Sequence, residues 1–261
     1  MQEMEVALEA AREVGELLRE AWRVDKVIHF KGAVDLVTDT DRESERRIVD
    51  RLTRAFPQHR VLAEESATDT SGRGSQDGWI WFIDPLDGTT NFAHGYPHFA
   101  VSIAAARDGE LELGVVHDPI RGETFRAQRG GGAFLNDQPI HASTVEVLDQ
   151  ALIGTGFPYD RRERPEYYLA FVADVLRRSQ GVRRAGTASL DLSYVACGRL
   201  DGFWEFKLKP WDVAAGALIL REAGGRVTDC RGGDFSVYGD QILATNGEIH
   251  DELATVVGAR L

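Results

Sequence analysis

Cysteine is almost missing: Cys197 and Cys230 are the only two in 261 residues. They stand far apart without C-x-x-C spacing, which argues against a disulfide framework or thiolate metal site and predicts two free thiols. Long apolar runs are also missing. None approaches the ~20 residues needed to cross a bilayer, and the acidic, amphipathic N-terminus lacks the apolar core of a signal peptide. A cytoplasmic protein without membrane contact is the expectation. Lysine occurs only at positions 26, 31, 207 and 209, so Arg carries nearly all positive charge. With Asn, Met and Cys also rare, the composition fits a heat-adapted source, although a G+C-rich genome gives the same Arg bias. Positive charge as a whole is short: 30 Lys and Arg face 42 Asp and Glu, a net charge of −12. That balance opposes nonspecific binding to nucleic acid or anionic membrane. It also means that an anionic substrate needs a local cation, which a metal site would supply.

What is present is an ordinary globular composition, 43% hydrophobic and 28% charged. The chain is long enough for one large domain or two modest ones. It is organised around residues 79–92, Trp-Ile-Trp-Phe-Ile-Asp-Pro-Leu-Asp-Gly-Thr-Thr-Asn-Phe. The first five residues read as a strand buried on both faces. Pro85 predicts that this strand stops and turns between Asp84 and Asp87. Gly88 admits backbone angles closed to other residues, and Thr89, Thr90 and Asn91 are helix N-cap types. Two carboxylates on a stiff turn can share a hard cation such as Mg²⁺, and amides at a helix start can face phosphate. An Asp-rich turn before a capped helix is the plainer reading of the same residues.

The remaining chain falls into two patterns. Residues 3–23 carry an apolar stripe of helical period. Short strands follow at Val27–Phe30 and Leu36–Thr38, with Lys31 on the turn between them. A helix then starts near Asp39 and Asp41, and strand Val61–Ala63 leads into Glu64-Glu65-Ser66 before a polar loop at 67–78. Strands near 100–106, 111–117, 123–127 and 133–135, joined by Gly-containing turns, predict an antiparallel meander. His94 and His98 are four apart, yet Gly95 and Pro97 between them argue against a helical zinc pair. From about residue 145 strands and helices alternate, which predicts a mixed α/β half. Two units, 1–145 and 146–261, are therefore expected. Asp212, ahead of Val213-Ala-Ala-Gly, reads alone as an N-cap, and Glu205 within Phe-Trp-Glu-Phe reads alone as a solvent-facing strand acid.

Asp84-Pro-Leu-Asp-Gly-Thr-Thr-Asn-Phe92 resembles the first signature of the inositol monophosphatase family of Mg²⁺-dependent phosphatases. Trp211-Asp-Val-Ala-Ala-Gly216 through Glu222-Ala-Gly-Gly225 resembles the second. Lys31 to Asp41 and Glu64-Glu-Ser66 match in order between the ends, so the resemblance covers nearly the whole chain. It implies a layered αβαβα sandwich of the inositol monophosphatase and fructose-1,6-bisphosphatase type. It implies one Mg²⁺ on Glu64, Asp84 and the Leu86 carbonyl, and another on Asp84, Asp87 and Asp212. A third, weaker ion would use Glu64. By the same resemblance Thr89, bonded to Asp41, activates water beside Glu64. Asp87, Gly88, Thr89 and Asp212 face the phosphate and its ester oxygen. Gly186, Thr187, Ala188 and Glu205 face the alcohol, with Lys31 supporting. Lithium sensitivity and a homodimer are further family expectations.

The leading functional reading is hydrolysis of inositol 1-phosphate to inositol and phosphate by metal-activated water. Sibling chemistry on fructose 1,6-bisphosphate, histidinol phosphate or a 3′-phosphoadenosine nucleotide is the alternative. A non-catalytic binding or regulatory protein of the same fold is the second alternative.

Overall fold

The computed structural model describes residues 2–23, 28–30, 36–68 and 77–261, the strands 28–30 and 36–38 by backbone alone. Lys31, the start of the strand expected at Val27, and most of the 67–78 loop lie outside the described residues. Helices α1 (Gln2–Ala21) and α2 (Asp39–Ala55) flank the short hairpin of β1 (Ile28–Phe30) and β2 (Leu36–Thr38). A seven-stranded sheet follows in sequence order: β3 (Arg60–Ala63), β4 (Trp79–Asp87), β5 (Ala100–Arg107), β6 (Glu110–Asp118), β7 (Glu123–Gln128), β8 (Ala133–Leu135) and β9 (Gln138–Ile140). Only the β3–β4 pair is parallel; the meander from β4 onward is antiparallel.

The second sheet has five strands in the order β11 (Gly181–Arg183), β10 (Leu152–Thr155), β12 (Gly202–Phe206), β14 (Gln241–Thr245), β13 (Arg226–Thr228). Its pairs of β10 with β11 and β12 are parallel and the rest antiparallel. Helices α4 (Pro165–Leu176), α5 (Ala188–Ala196), α6 (Pro210–Glu222) and α7 (His250–Gly258) alternate with these strands; α3 (Thr89–Ala93) belongs to the central motif.

Strand alternation explains the layering. On β4, Trp81 and Ile83 pack against α1 and α2, while Ile80 and Phe82 face α5 and α6. The far side of α5 and α6 covers Phe203, Ile242 and Ala244 of the small sheet. Trp204, Phe206 and Leu243 point the other way, into a core with Tyr168 and Phe171 of α4 and Leu253 of α7. The result is helices, sheet, helices, sheet, helices: the αβαβα sandwich expected from the resemblance.

The strand does not stop at Pro85 as its sequence suggested. Asp84 pairs with Ser102 and Asp87 with Ala100, so three steps on β4 oppose two on β5. The extra residue makes a β-bulge, a position where proline's missing N–H costs no ladder bond. The strand runs on to Asp87, and the bulge re-aims both aspartates. Cys197 and Cys230 are free, and no helix among the described residues is long and apolar enough to cross a membrane.

Candidate active site

Three layers deliver side chains to one end of the sandwich. Asp84 and Asp87 come from the bulged end of β4, and Glu64 from the residue after β3, its amide donating to the Ile83 carbonyl at 3.1 Å. Asp212 arrives in the first turn of α6. Ser102, the strand partner of Asp84, donates to the carbonyl of Trp211 at 3.0 Å and so ties that helix start to the large sheet. Asp212 is not the N-cap: Lys209 holds that place, Pro210 opens the helix, and the Asp212 carboxylate reaches back to accept the Lys209 amide at 2.7 Å. Glu64, Asp84, Asp87 and Asp212 line one cavity of about 190 Å³.

Each aspartate keeps one oxygen on a backbone amide. Asp84 accepts the Leu86 N–H at 3.0 Å, and Asp87 accepts Ser189 N–H at 2.7 Å from the start of α5. Burial, then the charges of Glu64, Asp87 and Asp212, hold the Asp84 pKa well above the usual carboxylate range. A hydrogen bond between Asp84 and Glu64 adds to this, and such a bond needs a shared proton. Asp212 is likewise raised, by burial and then by Asp87 and Glu64. Burial raises Asp87 to about 6 against the hydrogen bonds from Ser189 and Ala188. Among the described residues no three acidic, His or Cys side chains stand at metal-ligating spacing. The donor set itself fits Mg²⁺, which takes oxygen ligands, because four acids in one cavity are held neutral or strained without positive charge.

Gly88 carries the chain from β4 into α3 at φ 97°, a left-handed turn that favours glycine. The expected side-chain cap on α3 is absent: the N-cap position falls on Gly88, which has no side chain, and Thr89, Thr90 and Asn91 lie inside the helix. The Thr89 hydroxyl lies 3.0 Å from Asp41 Oδ1 and 3.1 Å from the Leu86 carbonyl. With one proton to give, it donates to one of them at a time. The Asn91 amide bridges the carbonyls of His98 (2.8 Å) and Ala185 (3.0 Å), pinning the segment before α5 beside α3.

Gly186 and Ala188 line the cavity through that segment. Thr187 does not; it is fully buried and its hydroxyl donates to the His98 carbonyl at 3.0 Å. Glu65 is also absent from the lining, and its amide bonds Glu45. Glu205 is not a solvent-facing acid. It is 9% exposed and lines the cavity. Burial, set against the nearby charge of Arg184, raises it to about 8. Gly156 makes room for it, since a Cβ there would lie 2.1 Å from the Glu205 carboxyl. Sequence reading missed Phe157, Tyr159, Arg161, Arg184 and Lys209, which complete the outer wall. Arg161 and Arg184 sit in Arg-rich stretches that look like solvated turns, and no period or motif marks them.

The chain matches the inositol monophosphatase family over residues 1–260. A Synechocystis inositol-1-monophosphatase is 46% identical over 260 residues, covering 98% of this chain and 88% of that protein. The Nus factor SuhB of Pseudomonas aeruginosa is also 46% identical, over 263 residues, 99% of this chain and 96% of that one. The solved inositol monophosphatase of Anabaena superposes with a TM-score of 0.89 at 42% identity, covering 99% of this chain and 96% of the other.

Proposed function

The chain belongs to the inositol monophosphatase family, a phosphatase family, and from that premise we propose that it hydrolyses small phosphate monoesters, inositol 1-phosphate foremost. The observation that carries this reading is the convergence of Glu64, Asp84, Asp87 and Asp212 on one cavity beside the Thr89–Asp41 pair. Glu64, Asp84, Asp87, Asp212 and the Leu86 carbonyl would hold Mg²⁺. Bound there, the ions lower the pKa of water and offset the charge of the phosphate.

The chain's own residues do the rest. Asp41 accepts the Thr89 proton, leaving the Thr89 oxygen free to take a proton from the attacking water. Glu64, which lines the same cavity, orients that water. The amides of Gly88 and Thr89 hold the phosphate, whose ester oxygen leaves on the Asp212 side. Glu205, with Gly186 and Ala188, faces the departing alcohol, and in its protonated form donates to a ring hydroxyl.

Phosphate release measured in Mg²⁺ across inositol 1-phosphate, histidinol phosphate, fructose 1,6-bisphosphate and 3′-phosphoadenosine 5′-phosphate tests this. Turnover on inositol 1-phosphate supports it; no turnover on any member would sink it. A second reading, a transcription-associated factor of the same fold, is favoured by the relative that bears the name Nus factor. With a net charge of −12 the chain would act there through protein contacts rather than by gripping nucleic-acid phosphates. That role is compatible with turnover, whereas a purely non-catalytic protein is not.

A further inference from the structure

One buried acid on α2 has no part yet in the chemistry of the cavity. Glu43 and Asp50 of that helix pair with arginines at the surface, Glu43 with Arg46 at 2.8 Å and Arg47 at 2.7 Å, Asp50 with Arg46 at 3.0 Å. Glu45 is instead buried, at 6% exposure. Burying a carboxylate is unfavourable unless a donor meets it. Here the donor is a backbone amide: Glu45 Oε2 accepts the Glu65 N–H at 2.6 Å, a charge-assisted bond.

That bond falls where the sheet stops holding the chain. β3 ends at Ala63, which pairs with Ile83 of β4. The Glu64 N–H still reaches the Ile83 carbonyl at 3.1 Å, but the chain then turns and the next amide leaves the ladder. Glu45 takes up that amide. The peptides on both sides of Glu64 are thus pinned, one to β4 and one to α2, which sets the direction in which its side chain leaves the backbone. Glu64 lines the cavity and bonds Asp84, whereas Glu65 does not line it. Glu45 also stands four residues after Asp41, on the same face of α2. Asp41, 1% exposed, lies 3.0 Å from the Thr89 hydroxyl. One helix therefore braces both groups assigned to the attacking water, Thr89 through Asp41 and Glu64 through Glu45.

We propose that Glu45 is a positioning residue for the reaction: by gripping the Glu65 amide it turns Glu64, rather than Glu65, toward the Mg²⁺ that the cavity would hold. Glu45 itself does not line the cavity and acts only through the backbone of its neighbour. Its reach matters more than its charge, because a backbone N–H needs an acceptor oxygen at one place. The inference rests on the metal-dependent phosphatase reading and adds a supporting residue to it.

The test is calorimetric titration of Mg²⁺ into chelator-stripped protein, alongside Tm in chelator and kcat on inositol 1-phosphate. Glu45→Ala removes the acceptor, Glu45→Asp keeps the charge but withdraws it by a methylene, and Glu45→Gln keeps an acceptor oxygen at the same reach. Mg²⁺ affinity should fall roughly 10- to 100-fold in Glu45→Ala and Glu45→Asp, the usual effect of removing a group that orients a metal ligand. It should return close to the wild-type value in Glu45→Gln, and kcat should rank the variants in the same order. A purely structural Glu45 would lower Tm in chelator and leave Mg²⁺ affinity unchanged, which overturns the proposal. Equal losses in Glu45→Gln and Glu45→Ala overturn it too. Should Glu45→Ala not fold, Glu45→Asp against Glu45→Gln decides: wild-type affinity in Glu45→Asp, or equal loss in both, refutes the positioning role. A wild-type chain that takes up no Mg²⁺ removes the metal reading and the proposal together, whereas a wild type that binds Mg²⁺ with unmoved variants removes the proposal alone.

Discussion

Thr89 has one proton and two acceptors, and that choice defines its role. Donation to Asp41 frees its oxygen toward the cavity, whereas donation to the Leu86 carbonyl does not. Thr89→Ala should therefore lower kcat on inositol 1-phosphate by roughly 10²- to 10⁴-fold, the usual range for a positioned acid–base group, with KM little changed. A pure KM effect would make Thr89 a phosphate binder instead. At this scale the acidic residues were legible, because Asp84, Asp87, Asp212 and Glu64 sit in runs that resemble family signatures. The choice of Glu64 over Glu65 was not: two adjacent acids look alike until the register Ala63 with Ile83 fixes which one lines the cavity. Arg161 and Arg184 were illegible for a related reason. A charge on a turn reads as solvated unless the fold shows that it lines a cavity.

Among the elements, boundaries were readable where period and turn residues agreed, as in the meander and at the ends of α1 and α5. They were misread where proline had two meanings. Pro85 breaks no ladder bond because it occupies a bulge, and Pro210 opens α6, so that Asp212 falls two residues past the helix start. Whether the chain divides into units at 1–145 and 146–261 stays a proposal, since α5 and α6 pack on both sheets. The contact between α6 and β6 is close: a Cβ on Gly114 would lie 2.7 Å from the Ala215 carbonyl oxygen. Gly114→Ala should cost about 1–3 kcal/mol by overpacking, a fall in Tm of roughly 2–10 °C for a chain of this size. An unchanged Tm would mean that α6 slides freely on the sheet.

Across the whole molecule, the sandwich confines a cluster of buried acids at one end of a chain whose net charge is −12. Asp87 is raised to about 6 and Glu205 to about 8, and Asp84 and Asp212 are raised as well, burial leading in each case. Groups raised on folding stabilise the fold while protonated and lose that contribution as pH rises through their folded values. His98 and His250, both lowered to about 4 by burial, act oppositely, but only below about 6.5. Between pH 6.5 and 8 the acids act unopposed. In chelator the Tm should fall across that window, and Mg²⁺ should abolish the fall, because metal binding strengthens as its ligands ionise. Parallel curves with and without Mg²⁺ would show that the cluster holds no ion. The most direct measurement is phosphate release from inositol 1-phosphate by the wild type and by Asp87→Asn, in Mg²⁺, after exhaustive chelation, and after Mg²⁺ is restored. Wild-type turnover should vanish on chelation and return with Mg²⁺, while the variant stays folded and inactive throughout. Turnover that survives chelation, or a variant working near the wild-type rate, would contradict a carboxylate-held metal centre.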